Sequence, residues 1–173
     1  AYFGKVPEIL ITSAGQTQSI RVLRKIKQYI RTMPEFMRPE FTKDTETQII
    51  FGNGVSIYSL PANADTCRGF TGEVILDEFG VIPERESEEL WAALLPCITK
   101  GYRITAVATP KGKQNMFYKL CNPKKNEHGE FIGVRPKKII SVPWWEVPHV
   151  ADTIDDFKMA MTEKMFTQEY ECS

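Results

Sequence analysis

Three short apolar runs decide what this chain can fold into. Glu8 to Thr12 (EILIT), Glu73 to Asp77 (EVILD) and Tyr102 to Ala108 (YRITAVA) are rich in β-branched residues, and each stops at a small polar loop. A strand that is apolar on successive residues buries both faces, the pattern of a parallel sheet covered on two sides. Helical spacing lies between them. Gln16 to Arg31 puts Ile20, Leu23, Ile26 and Ile30 on one face, with Arg21, Arg24, Lys25, Lys27 and Arg31 elsewhere around the helix. Ser87 to Leu95 does the same with Leu90, Trp91, Leu94 and Leu95; Pro83 helps to start this helix and Pro96 ends or kinks it. Strands alternating with helices specify an α/β domain with a largely parallel sheet, and 173 residues suffice for one such domain with a core.

The remaining segments are read in the same way. TQIIF and GVSIYSL flank Gly52-Asn53-Gly54, a hairpin signal because Asn and Gly tolerate positive φ. Asn115 to Cys121 reads as a short helix, Lys124 to Gly133 as a charged loop or small hairpin, and Lys138 to Val142 as a strand. Pro143 to Pro148 is irregular; its Trp144-Trp145 pair either packs against the sheet or is an exposed contact for a partner. Thr153 to Met161 and Glu163 to Glu171 are helical. Lys+Arg and Asp+Glu balance at 22 each, so the whole chain offers no net field for nucleic acid or an anionic membrane, although a local basic patch stays open. No run approaches the ~18 apolar residues of a membrane span, and no secretory signal opens the chain. Cys67, Cys97, Cys121 and Cys172 form no CxxC pair and only two histidines are present, which argues against zinc and for reduced thiols in a cytosolic protein. The chain starts without Met and ends abruptly, and both ends read as cut from something longer.

The polar loops after the three runs carry the chemistry, because ligands of parallel sheets bind at the carboxyl ends of the strands. Asp77 and Glu78 end the second run. A strand can deliver Asp77 rigidly to the sheet edge, where one carboxylate suffices for magnesium. Glu78 can then orient and deprotonate a water attacking a γ-phosphate. The plain alternative is a strand end with two solvated acids. Thr109 ends the third run and can sense the γ-phosphate or the attacking water; equally, Thr109-Pro110 merely terminates a strand. Arg68 can bind a phosphate or a DNA backbone bidentately, or pair with an acid and hold a loop. Asp77, Arg68 and Thr109 are thus the candidate nucleotide contacts. The loop at Gln16 could touch DNA or nucleotide, but helix capping by Ser13 and Thr17 is the plainer reading.

The order of these motifs resembles the large terminase subunit of tailed bacteriophages, the motor that packages DNA. The resemblance lies in ILITSAGQTQS, the Asn-Gly hairpin, RGFTGEVILDEFG, ELWAALLPCITKGYRITAVATPKGKQNMFYKL and the closing MFTQEYECS, nearly the whole chain. It implies a RecA-like P-loop NTPase core of the additional-strand, catalytic-glutamate class. Asp77 matches the Walker B aspartate, Glu78 the catalytic glutamate, and Thr109, with Ala108 and Pro110, the coupling motif. Phe79 stands where the family more often has a small residue. A Walker A loop is missing: Phe3-Gly4-Lys5 is followed by Val6, where Ser or Thr should hold magnesium. By resemblance, Ala1 to Lys5 ends the helix after Walker A. Residues 1–162 are then a partial ATPase domain, and 163–173 begin the linker to a nuclease domain. The resemblance also implies ATP and Mg2+ as cofactors. The implied partners are double-stranded DNA, portal protein, the small terminase subunit and further copies of the chain in a ring. The implied setting is the host bacterial cytoplasm. The Walker A strand would lie beside the Thr109 strand, so this stretch alone is expected to expose the edge of YRITAVA, to be marginally stable or dimeric, and to bind ATP poorly. A superfamily-two helicase is one rival reading. A non-catalytic prophage remnant binding portal, small terminase or DNA is the other.

Overall fold

A computed structural model of the chain describes residues 6–132 and 136–172. Ala1 to Lys5, read above as the end of a helix, lie outside the described residues. Strand β1 (Glu8–Ser13) passes through a short turn into helix α1 (Gln16–Thr32). A short 3-10 turn, Glu35–Met37, leads to β2 (Phe41–Asp44), β3 (Gln48–Phe51) and β4 (Ser56–Pro61). Helix α2 (Ala64–Cys67) precedes β5 (Glu73–Asp77), followed by a 3-10 turn at Phe79–Val81 and α3 (Glu84–Thr99). Next come β6 (Ile104–Val107), α4 (Met116–Cys121), a 3-10 turn at Trp144–Glu146, α5 (Pro148–Ala151), α6 (Ile154–Ala160) and α7 (Glu163–Tyr170).

The six strands form one sheet in the order β2-β3-β4-β1-β5-β6. The β1–β4, β1–β5 and β5–β6 pairs are parallel; β2–β3 and β3–β4 are antiparallel. The Asn-Gly hairpin is the β3–β4 turn, with Gly54 at φ 83. Successive residues of β1 serve two cores because side chains alternate across a strand. Leu10 packs with Val74, Leu76, Phe79, Leu90 and Leu94 under α3, whereas Ile11 packs with Leu23, Ile30, Ile49 and Ile57 under α1. The α1 side covers only part of the sheet. Ile75 and Thr105 stand in register with Ile11, and Val107 with Ser13, so all share the α1 face. Ile75 is 37% exposed and Val107 54% exposed.

Several details differ from the reading of the sequence. Helix α3 runs on through Pro96 to Thr99, because a proline so near the end forfeits only one backbone bond while Leu94 and Cys97 hold that turn in the core. The third run is not a buried strand: it is shorter, lies at the sheet edge and alternates between half-buried and exposed. Lys138 to Val142 is not a strand; Ile139, Ile140 and Val142 are exposed, and β-branched residues without a neighbour to pair with do not make one. Strand β2 has no counterpart in the sequence reading, since four residues of mixed polarity carry little signal. The tryptophans are split: Trp144 is half-buried beneath the Lys158 ammonium, 5.1 Å from its ring centre, and Trp145 is exposed. The Lys124–Gly133 segment closes as a small hairpin through a Lys125–Phe131 bridge, Gly133 itself lying outside the described residues.

Candidate active site

Asp77 is the last residue of β5 and sits in register with Ser13 of β1 and Val107 of β6. Its side chain therefore shares the α1 face of the sheet with Ser13. Ser13 donates its hydroxyl to Asp77 Oδ2 at 3.3 Å, and Gln18, in the first turn of α1, donates Nε2 to the same oxygen at 3.4 Å. Ser13 is thus not the helix cap that its place in the sequence suggests. The residue before α1 is Gly15, and no side chain caps that end. The hydroxyl is bound instead to the carboxylate that the neighbouring strand brings beside it.

Glu78 turns the chain. Its backbone is left-handed, φ 54 and ψ 35, and its carbonyl accepts the Val81 N–H at 3.1 Å. A left-handed non-glycine residue costs about 1–2 kcal/mol and persists only where its surroundings impose it. Phe79 imposes it here, being wholly buried with its ring centre 6.4 Å from that of Trp91. The large residue that departs from the family pattern is the anchor of the turn. Burial pushes the Glu78 carboxyl above its ordinary range, and the charges of Asp77 and then of Glu169 on α7 push it further the same way. Two adjacent carboxylates of unlike environment result, one hydrogen-bonded and one held toward the protonated form, an arrangement suited to a metal anchor beside a general base.

Thr109 follows β6 by two residues and meets the Glu78 turn directly. A Cβ added to Gly80 would lie 2.8 Å from the Thr109 carbonyl oxygen and 3.0 Å from the Ala108 Cβ, so the two loops touch with no side chain between them. The structure brings Asp77, Glu78 and Thr109 to one sheet edge. Arg68 is not with them. It follows α2, exposed, and lines a polar groove with Asn63, Asp65, Glu86 and Glu89; among the described residues it makes no ion pair.

Residues 2–169 match the family described as terminase large subunit, T4likevirus-type, N-terminal. The chain belongs to that family. Its fold is that of solved terminase ATPase domains, a RecA-like α/β core. The large terminase ATPase domain of Thermus phage P74-26 superposes with a TM-score of 0.67 over 99% of this chain and 78% of that one, at 19% identity. An arginine-to-alanine mutant of the same phage domain gives 0.64 over 96% and 76%, at 20% identity.

Two further side chains join this candidate site, both from stretches that stand out in the sequence but with no role assigned to either residue. Gln18, the last residue of the polar SAGQTQ stretch, reaches Asp77 from the helix that follows the neighbouring strand. Asn115 reads as the first residue of a helix but stands before it, donating Nδ2 to Gly80 O at 2.8 Å and accepting the Tyr118 N–H at 2.9 Å. An asparagine just before an apolar helical run is the available signal, being a favoured N-cap residue.

Proposed function

We propose that this chain supplies the hydrolytic side of an ATP site in a phage DNA-packaging motor. The observation that carries the reading is Glu78, held left-handed beside Asp77 at the end of β5, in a turn whose Gly80 packs against the Thr109 loop. The donors present suit magnesium. Asp77 and the Ser13 hydroxyl are hard oxygens, and a single carboxylate is enough for an ion that keeps most of its waters. Among the described residues no group of three or more His, Cys, Asp or Glu side chains could hold a metal ion. Asp77 would hold Mg2+ there, and Mg2+ when bound supplies neutralisation of phosphate charge.

The chain's own residues have the following parts. Glu78 orients a water and takes its proton as the oxygen–phosphorus bond forms at the γ-phosphate. The bond to the β-phosphate oxygen breaks, and ADP leaves with that electron pair. Thr109 reads the γ-phosphate or the water and passes the change to its loop. Arg68, which lies away from this cluster, serves a phosphate brought by a neighbouring subunit or DNA. In the full motor the partners are double-stranded DNA, portal protein, the small terminase subunit and further copies of this chain in a ring, in the host cytoplasm. Residues 163–173 begin the connection to a following nuclease domain. Helix α1 supports the nucleic-acid part, with five basic residues and no acidic one; Arg24, Lys27 and Arg31 pair with Asp44 or Glu46, while Arg21 and Lys25 stay outside those pairs. No helix among the described residues is long and apolar enough to cross a membrane.

Glu78→Gln in the full-length protein tests the reading. The amide keeps the shape and removes the base, so ATP binding persists and steady-state turnover falls by about a hundredfold or more. Near-normal turnover rejects the assigned role.

A further inference from the structure

Asn115 is only 7% exposed, and every hydrogen-bonding group of its side chain is used. Oδ1 accepts the Tyr118 N–H at 2.9 Å and caps α4. Nδ2 donates at 2.8 Å to the Gly80 carbonyl and at 2.8 Å to the Lys111 carbonyl. Capping requires the oxygen alone; Ser, Thr or Asp would serve as well. The two donations are therefore surplus to the helix. Gly80 lies two residues after Glu78, and Lys111 two residues after Thr109. One buried amide thus holds the loop after β5 and the loop after β6 together, where the Gly80–Thr109 contact already leaves no space for a side chain. Its platform is fixed from below. The Met116 N–H bonds to Ser87 Oγ at 3.2 Å, and Lys119 bridges Glu84 and Glu88, all three on α3.

We propose that Asn115 is a positioning residue, a clasp that sets the Glu78 carboxylate against the Thr109 loop and makes the two loops move as one. Neither donated bond touches substrate; the effect is on where Glu78 sits. The inference rests on the ATPase reading above. A displacement of about 1 Å at a catalytic group costs on the order of a hundredfold in rate, so a loosened clasp is visible in turnover.

The test is Asn115→Asp and Asn115→Ser in the full-length protein, beside wild type and Glu78→Gln. Both variants keep an oxygen for the cap, but ionised Asp has no donor and Ser has a single, shorter-reaching hydroxyl, so neither can hold both loops at once. The expected result is kcat lower by about 10- to 100-fold with KM for ATP within about threefold. Amide hydrogen exchange should quicken together in residues 78–82 and 109–112 while α4 stays protected. Turnover within about twofold of wild type in both variants would overturn the inference, as would loosening of one loop without the other. Absence of turnover in wild type would reject the ATPase reading instead, and the exchange measurement would still decide the clasp.

Discussion

At the scale of single residues, Glu78 carries a conflict between stability and chemistry. Its left-handed backbone is strained for a glutamate and free for a glycine. Glu78→Gly is expected to abolish turnover and yet stabilise the fold by about 1 kcal/mol in urea denaturation, the pattern of a residue kept for its side chain. Equal or lower stability would show that the turn is not strained. The raised carboxyl has a second consequence. Glu78 must be ionised to accept a proton, so the acid limb of kcat lies above the ordinary Glu value of 4.5. Burial is the main cause, with Asp77 and Glu169 adding to it. Glu169→Gln removes the contribution from α7 and should move that limb to lower pH; a limb that stays put or moves up would refute the coupling. The sign for folding is opposite to that of a salt-bridged acid. Above 4.5 the folded state holds this proton more tightly than the unfolded chain, so this group's contribution to stability declines as pH rises toward the folded value. Asp77 and Glu78 stand out in the sequence less through the doublet itself, which a plain strand end can also carry, than through its company, RG before it, ATPKG after it and QEYEC at the end. Their inequality is legible only as a role by resemblance, since it arises from Phe79 burying the turn and from Ser13 and Gln18 reaching one oxygen.

At the scale of elements, what can be read is what carries a period. Strand β1, helix α1, strand β5 and the Asn-Gly hairpin each announce themselves through apolar spacing or turn chemistry, and the structure has them within a residue or two. Strand β2, the continuation of α3 past Pro96 and the failure of Lys138–Val142 to form a strand depend on neighbours, which a local pattern cannot supply. Close approach between elements is similarly hidden. Gly72 leads into β5 where that strand enters beside β1, and a Cβ there would lie 2.3 Å from the Glu8 carbonyl oxygen and 2.9 Å from its carbon. Both are backbone atoms in a paired strand, so nothing flexible can yield. Gly72→Ala should therefore cost about 1–3 kcal/mol and lower the denaturation midpoint without changing the slope. A loss under about 0.5 kcal/mol would mean that the strands separate easily at that end.

At the scale of the whole molecule, the sheet is unevenly covered. The α1 face is closed over β1, β3 and β4 by Ile11, Leu23, Ile49 and Ile57, but Ile75 and Val107 on the same face remain open beside Asp77. Among the described residues, β6 pairs on one side only, with β5. An open apolar face next to a free strand edge is a template for pairing with another chain. The same edge is where a triphosphate would have to be held. There Asp77 is met by a hydroxyl and an amide, with no Lys or Arg bonded to it among the described residues. A magnesium-bound triphosphate would meet this edge through its metal at Asp77 alone, with no protein cation to hold the remaining phosphate charge. The 173-residue chain alone should thus self-associate reversibly as its concentration rises, and its thermal midpoint should not respond to Mg-ATP. The size of the missing response is calculable. Saturation at about 100 times Kd would stabilise the fold by ~2.7 kcal/mol. At about 2–4 °C per kcal/mol for a chain of this size, that is a shift of roughly 5–10 °C. Thr105→Lys with Val107→Lys places charge along the edge and the open face without touching the core beneath α3. Sedimentation velocity should then show a monomer at concentrations where the unaltered chain associates, with the melt still indifferent to Mg-ATP. Association that persists in the double variant would move the contact away from β6, and a midpoint raised by several degrees with Mg-ATP would mean that these residues bind the nucleotide unaided.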